Sequence, residues 1–404
     1  MRILVAHNFY QLPGGEDRVF DAEKRMLVGQ GNEVVEYSRH NSEFANIGLV
    51  SLPGLAAGTV WNLESYRNLR KIIREFQPDV AHFHNTFPLL SPSVYGACWG
   101  LGVPVVQTLH NWRIVCPSGG LFYQNHYCDD CVGKKIPWPG IMRGCYRGSR
   151  LQTGVLGMSS YAHHVLGTWS EKIARYIVFG NAFREKMIGA GFPAERIAVK
   201  PHFLEDPGQG SRSGGYAIYA GRLTREKGVH TLLAAWKTLR GHKLVICGSG
   251  PLEEEVRQLA AADPERIAFY PFLPQAELMA LLQKAAFLVW PSESIETFGM
   301  IALESLACGV PVISSGVTAV SDLVVDGQTG LTFRVSDSSD LADKIGWAFE
   351  HPEEISTMAE RARKQYLGAY TPAKNYIQLV GIYEDAIAQQ KAIRGDLGRN
   401  REKK

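Results

Sequence analysis

Two runs of alternating short apolar strands and helix-like segments, divided by a Gly/Ser-rich stretch, constrain this chain more than any other feature. In the first run, strand patterns fall at 3–6, 33–37, 79–83 and 103–107, with a Gly14-Gly15 loop leading into an amphipathic helix over 17–30. Such alternation builds a parallel sheet with helices on both faces. The stretch 207–215, Pro-Gly-Gln-Gly-Ser-Arg-Ser-Gly-Gly, interrupts the pattern. Strand patterns then resume at 216–220, 243–247, 266–270, 286–290 and 310–314. A length of 404 residues also exceeds one typical core. The expected fold class is α/β, with two doubly wound domains facing each other across a cleft. The first spans 1–205 and the second 206–372. A helix over 373–390 is expected to pack back on the first domain. The charged, apolar-poor tail 391–404 is expected to be disordered. Ligands of such sheets bind at the strand C-termini, so the cleft is the expected site.

Composition narrows the partners. With 43 basic and 40 acidic residues, the net charge of +3 argues against bulk nucleic-acid binding. The apolar run after Met1 is shorter than a secretory h-region and reads as a buried strand. The uncharged stretch between Glu43 and Glu64 contains Gly48, Pro53, Gly54 and Gly58, which disfavour a spanning helix. The expected location is cytoplasmic, peripheral to the inner face of a membrane.

The chemistry concentrates in Pro291-Ser-Glu-Ser-Ile-Glu296-Thr-Phe298-Gly299-Met300-Ile-Ala-Leu-Glu304. An apolar strand runs into this segment and a helix pattern runs out. Glu296 therefore stands just before a helix N-terminus and Glu304 inside the helix. Free N–H groups at such a terminus attract phosphate. The carboxylates on either side suit neutral hydroxyls, as on a sugar and a ribose. Arg222 and Lys227 follow the first strand of the second domain. Fixed cations there stabilise charge developing on a diphosphate leaving group. They can replace a metal ion, and the chain has no Asp-x-Asp triplet.

In their order along the chain these segments resemble the GT-B-fold retaining glycosyltransferases of family 4 (glycosyl transferases group 1). The resemblance covers nearly the whole length. It rests on the Glu296–Glu304 segment and on Tyr219-Ala-Gly221-Arg222-Leu-Thr-Arg-Glu-Lys227-Gly228. Gly14-Gly15, His82-Phe-His84-Asn85, Gln107-Thr-Leu-His110-Asn111 and Asp326-Gly-Gln-Thr-Gly330 add to it. It implies that Glu304 holds ribose hydroxyls and Glu296 donor-sugar hydroxyls. The backbone at Phe298, Gly299 and Met300 would meet the diphosphate, and His110 would approach the sugar from the first domain. Gly14 and Gly15 would let backbone approach the donor. His82 and His84 lie at alternate strand positions and face one side. The family usually has Pro-Asn where this chain has Pro201-His202. The implied activity is metal-independent transfer from a nucleotide-diphospho-sugar to a glycan or lipid-linked acceptor, in cell-surface polysaccharide or glycoconjugate synthesis. No cofactor is required for that reaction. A sugar-nucleotide epimerase and a non-catalytic nucleotide-sugar or glycan-binding protein are the rival readings.

Cys98, Cys247 and Cys308 sit in apolar segments and read as core residues. Cys116, Cys128, Cys131 and Cys145 cluster in a loop-rich stretch, and Cys128-Asp-Asp-Cys131 has metal-ligand spacing. A structural zinc site with four cysteine ligands and four free thiols are both open readings. The basic run Tyr66-Arg67-Asn-Leu-Arg70-Lys71-Ile-Ile-Arg74 lies near the apolar stretch 49–61. Lys134, Lys135, Arg143, Arg147 and Arg150 add charge near the cysteines. Together they suit anionic lipid headgroups or a lipid-diphosphate acceptor. A solvated helix face beside a core segment is the alternative.

Overall fold

The structure, a computed structural model, describes residues 1–11, 14–44, 52–124, 126–316 and 322–401. The first half comprises β1 (Arg2–Phe9), α1 (Gly15–Gly29), β2 (Glu33–His40), α2 (Leu52–Val60), α3 (Leu63–Phe76), β3 (Val80–Phe83), α4 (Ser93–Leu101) and β4 (Val105–Thr108). After these come β5 (Phe122–Tyr123), β6 (His126–Tyr127), α5 (Trp138–Arg143), α6 (Arg150–Val165), α7 (Thr168–Glu171), β7 (Arg175–Val178), α8 (Asn181–Gly189) and β8 (Ile197–Val199). The second half comprises β9 (Tyr216–Ala220), α9 (Val229–Thr238), β10 (Lys243–Cys247), α10 (Glu253–Ala262), β11 (Ile267–Tyr270), α11 (Gln275–Lys284), β12 (Phe287–Trp290) and α12 (Met300–Ala307). It ends with β13 (Val312–Ser314), β14 (Gly330–Thr332), α13 (Ser338–Glu350), α14 (Pro352–Ala369) and α15 (Pro372–Arg401).

Each half forms a six-stranded parallel sheet. The orders are β2-β1-β3-β4-β7-β8 and β11-β10-β9-β12-β13-β14, and β5 and β6 form a separate antiparallel hairpin. Burial on both faces explains why residues 3–8 of β1 are all buried rather than alternating. Two strands start later than their apolar runs, after Pro104 and Pro311. Proline lacks the N–H a ladder needs, and here each proline only accepts, from Ala81 N and Leu288 N at 2.9 Å. Strands β7, β8 and β14 were not legible as separate elements, being only three or four residues long.

Helix α15 lies on the first sheet. Its Leu379, Ile382, Tyr383 and Ala386 share one buried cluster with Ile3, Val5, Phe20 and Leu27. The helix continues to Arg401, so the disorder expected from residue 391 onward does not hold for 391–401. Ala, Lys, Leu and Arg are strong helix formers, and extending a nucleated helix costs far less than starting one. Residues 402–404 lie outside the described residues, as do 49–51 of the apolar stretch noted above.

The two sheets meet through hydrogen bonds as well as apolar contact. Trp112 Nε1 donates to Ile295 O (3.1 Å), Thr297 Oγ1 to His110 O (2.9 Å) and Asn181 N to Asp322 Oδ2 (2.8 Å). Within the second domain, the loop after β9 is pinned to the loop after β12. Glu293 N and Ser294 N both donate to Glu226 O, at 2.9 and 3.2 Å. Gly228 makes this approach feasible: its φ is +71°, and a Cβ there would lie 1.8 Å from Pro291 O. Gly228→Ala should therefore lower unfolding free energy by at least about 2 kcal/mol. Urea denaturation measures this, and a change below about 0.5 kcal/mol would mean the loops do not pack in this way.

Candidate active site

Glu296 follows β12, in a loop closed by Gly299 at the start of α12. Gly299 has φ +99°, and a Cβ there would collide with the Trp290 ring at 2.0 Å. Only glycine lets the chain turn this tightly into the helix. Glu296 accepts from Ser292 Oγ (2.8 Å) and forms an ion pair with Lys227. Burial opposes its ionisation, but Lys227, Ser292 and Arg222 outweigh burial and hold its carboxyl below the usual range. Lys227 is thus committed to Glu296, whereas the Arg222 side chain is 71% exposed and only loosely paired with Glu226 at 3.8 Å. Tyr219 fixes the Arg222 backbone through a 2.8 Å bond to its carbonyl. Phe298 is buried, and Met300 opens α12.

Glu304 lies inside α12 and is 3% exposed. Burial raises its carboxyl pKa. Its Oε1 accepts from Gln275 Nε2 (2.9 Å), and Gln275 Oε1 accepts from Arg18 Nη1 (2.7 Å). Arg18 comes from α1 of the first domain, so the two domains share this end of the cleft. Gly14 N donates to Asp17 Oδ2 (2.7 Å), which caps α1. A Cβ on Gly15 would meet nothing within 4 Å, so the backbone there borders open space.

Behind His110 stands a buried chain of charged and polar groups. Lys200 Nζ is 2.8 Å from Glu23 Oε2 and 3.0 Å from Asn375 Oδ1. Glu23 Oε1 is 3.1 Å from both His82 Nδ1 and His84 Nε2. His84 Nδ1 is 2.9 Å from His110 Nε2. Burial disfavours the Glu23 carboxylate, but Lys200 and the histidines hold its pKa well below the usual range. A carboxylate only accepts, so His84 Nε2 must carry a proton. Burial pushes His84 down to about 3 and holds His110 well below its ordinary value, so both rings are neutral. His84 Nδ1 is then bare and accepts from His110 Nε2–H. His110 Nδ1 is left bare by that arrangement. His202 stacks on the His110 ring (5.6 Å, 11°) and packs on Phe179 and Phe298. Glu23, His82 and His84 are also the one metal-capable trio found close together among the described residues. The Lys200 ammonium already supplies their counter-charge, so the donor set suits a proton-ordered network better than a cation.

Beside His110, a solvent-open cavity of about 120 Å³ enters the first domain, lined among others by Glu16, Asn85, Tyr95, Arg113 and Trp169. Burial raises the Glu16 pKa, and Glu16 Oε1 and Arg113 Nε have no protein partner among the described residues. The structure therefore gathers Arg222, Lys227, Glu296 and the α12 N-terminus on one wall, and His110 on the other. Cys116, Cys128, Cys131 and Cys145 line a separate small cavity. Sequence reasoning did not find Glu23, Lys200, Glu16 or His202. Glu23 had a usable signal, as a charge on the buried stripe of α1 with Val19, Phe20 and Leu27.

Solved structures share this architecture. HepE of Anabaena, crystallised with UDP, matches with a TM-score of 0.66 at 17% identity, over 94% of this chain and 99% of that one. The fold is GT-B. Family profiles then place the chain within it: Glycosyltransferase Family 4 matches residues 13–206 and Glycosyl transferases group 1 matches residues 210–365. A D-inositol 3-phosphate glycosyltransferase of Pseudarthrobacter chlorophenolicus is 33% identical over 326 residues, 77% of this chain and 71% of that protein. A glycogen synthase of Mycobacterium tuberculosis is 35% identical over 156 residues, and the match spans only 37% of either length. The chain belongs to the group 1 glycosyltransferases of family 4.

The neutral histidines carry a pH signature. The unfolded chain protonates His84, His110 and His202 near pH 6.5, whereas burial holds all three neutral in the fold. Stability should therefore fall as pH drops below about 6.5, at a slope approaching about 4 kcal/mol per pH unit. Ring ¹⁵N spectra at pH 7 should show His110 neutral with its proton on Nε2. A His110 ring that titrates near pH 6.5 would contradict the wiring.

Proposed function

We propose that this protein is a retaining glycosyltransferase that needs no catalytic metal. It moves a sugar from a nucleotide-diphospho-sugar to a hydroxyl of a glycan or lipid-linked acceptor, in cell-surface polysaccharide or glycoconjugate synthesis. The observation that carries this reading is the opposition of two walls. Arg222, Glu296 and the α12 N-terminus face His110 across a cleft bridged by the Thr297–His110 hydrogen bond. The HepE neighbour binds UDP, which supports a nucleoside diphosphate as the leaving group here.

Each group has a role in this reaction. Glu304 takes the ribose hydroxyls, and the N–H groups opening α12, with Arg222 and Lys227, take the diphosphate. Glu296 accepts from sugar hydroxyls, and the bare His110 Nδ1 accepts from another. The acceptor enters the cavity by Glu16 and Arg113. As the bond from C1 to the phosphate oxygen breaks, the acceptor oxygen bonds to C1 on the same face. Its proton passes to the departing phosphate oxygen. Glu304→Ala and Arg222→Ala should each lower kcat/KM by about 100-fold or more, in the range typical of lost charge-stabilising contacts. Glu304→Ala should also abolish thermal stabilisation by the donor. Near-normal transfer by both variants would sink the assignment.

The acceptor side favours a membrane surface at the inner leaflet. On α6, Leu151, Met158, Tyr161 and Val165 form one exposed stripe, 43–81% accessible, and Trp138 and Met142 project beside it. Lys134, Lys135, Arg143, Arg147 and Arg150 stand just before or at the start of α6 in sequence, a composition suited to anionic lipid. Among the described residues no helix is long and apolar enough to cross a membrane. The protein should float with vesicles containing anionic lipid, and Met158→Glu with Val165→Glu should abolish flotation. Equal recovery with and without anionic vesicles would remove the membrane from the proposal.

A further inference from the structure

We propose that Cys116, Cys128, Cys131 and Cys145 bind one structural Zn²⁺ ion, and that this ion locks the loop after His110 against the second domain. The four residues come from three stretches of chain: the turn after His110, the exit of the β5–β6 hairpin, and the end of α5. All four are free thiols lining one small cavity of about 10 Å³. Cys116 and Cys131 are buried, and the other two are half-buried.

The surrounding segment has little else to hold it. Its regular structure is a hairpin of two-residue strands and a six-residue helix. Leu121 and Trp112 anchor its start in the core, but beyond them Tyr127, Trp138 and Met142 are 43%, 59% and 60% exposed. A loop with so little regular structure gains from a cross-link. Thiolate ligands make Zn²⁺ the fitting ion, and four of them leave no open coordination position, which makes the site structural.

Two contacts suit thiolate ligands. The Gly140 backbone N–H faces the Cys131 sulfur, and a Cβ on Gly140 would lie 3.2 Å from that sulfur. Arg143 Nη1 is 3.4 Å from Cys128 Sγ, where a guanidinium offsets the net negative charge of a zinc tetrathiolate. Zn–S bonds of about 2.3 Å put tetrahedral sulfurs about 3.8 Å apart. Among the described residues no three of the sulfurs lie within 4.8 Å of one another. Cys116 Sγ is turned toward Ser118 Oγ (3.1 Å) and Cys128 Sγ toward Arg143. Rotation between staggered χ1 wells carries a sulfur by up to about 3 Å, so binding would re-aim these side chains. Each thiol that binds releases its proton.

The consequence reaches the cleft through one turn. Cys116 N donates to Trp112 O (2.8 Å), and Trp112 N donates to Gly119 O (3.1 Å). Trp112 Nε1 then crosses to Ile295 O, next to Glu296. An ion fixed at Cys116 therefore fixes the turn that joins the two walls.

Full-length protein purified under reducing conditions should carry close to one zinc per chain by inductively coupled plasma mass spectrometry. Cys128→Ser with Cys131→Ser should lower that at least tenfold, while circular dichroism shows the helix content retained. Zinc added back to chelator-stripped wild type should block the reaction of four thiols with a disulfide reagent, release protons, and slow proteolysis within 111–149. Cys98 lies outside the cluster, and Cys98→Ala should keep the zinc. The proposal is overturned if stripped protein takes up no zinc at micromolar concentration, or if mass spectrometry finds these cysteines in disulfides. Metal content and thiol reactivity do not depend on the enzymatic reading, so either can fail without the other.

Discussion

The buried Lys200–Glu23 pair is the interaction on which the catalytic half of the first domain depends. Taking two charges out of water is costly, and the pair is held by Asn375 on the Lys200 side and by the His82 and His84 rings, 3.1 Å from Glu23 Oε1, on the other. Glu23 comes from α1, His82 and His84 from the end of β3, Lys200 from just beyond β8, and Asn375 from α15. Four separated segments thus converge on this one pair. Asn375 Nδ2 also donates to Pro201 O (2.6 Å), and Tyr383 Oη lies 2.7 Å from His82 Nδ1. The C-terminal helix is therefore part of the shell behind His110. The direction of every proton in the chain follows from one fact, that Glu23 is ionised and can only accept.

That orientation is passed between domains by backbone as well as side chain. His110 uses its imidazole to reach the network behind it and its carbonyl to hold Thr297, next to Glu296. Trp112, two residues on, holds the carbonyl of Ile295 on the other side of Glu296. These directional bonds add to an apolar contact in which Phe179 packs on Phe298, and together they define the arrangement of the two domains. The Arg18–Gln275–Glu304 chain adds a third tie at the Glu304 end of the cleft.

Much of the second wall was legible in the sequence because its chemistry is local. Glu296, Gly299 and Glu304 lie within nine residues, and a strand running into a helix start fixes their relation to the α12 N-terminus. The first wall was harder to read. Glu23 and Lys200 are 177 residues apart in sequence, and neither carries a motif. His84 was visible only as one of two histidines on a strand face, with nothing local to say that Glu23 would meet it. The doubly wound pattern was legible from apolar runs, but the shortest strands were not. Three residues of β14, paired to β13 by register alone, give too little periodicity to detect. The helical course of 391–401 was missed for a related reason: composition reports how polar a segment is, whereas continuation of a helix depends on the turn before it.

The Lys227–Glu296 pair sharpens how charge is distributed in the proposed reaction. In the donor-free protein Lys227 is neutralised by Glu296, so the positive potential awaiting a diphosphate comes from Arg222 and the α12 N-terminus. This arrangement avoids leaving two bare cations close together in a partly buried cleft, where their repulsion would be poorly screened. A diphosphate adds negative charge beside Glu296 and competes for the Lys227 ammonium. Glu296 then has to satisfy its carboxylate elsewhere, and the hydroxyls of a donor sugar are the groups at hand. On this view Glu296 serves two states with one geometry. It holds Lys227 when the cleft is empty and holds the sugar when Lys227 turns to phosphate. A Gln at 296 could still bind hydroxyls but could not restrain Lys227, so the two duties of the carboxylate are separable in principle.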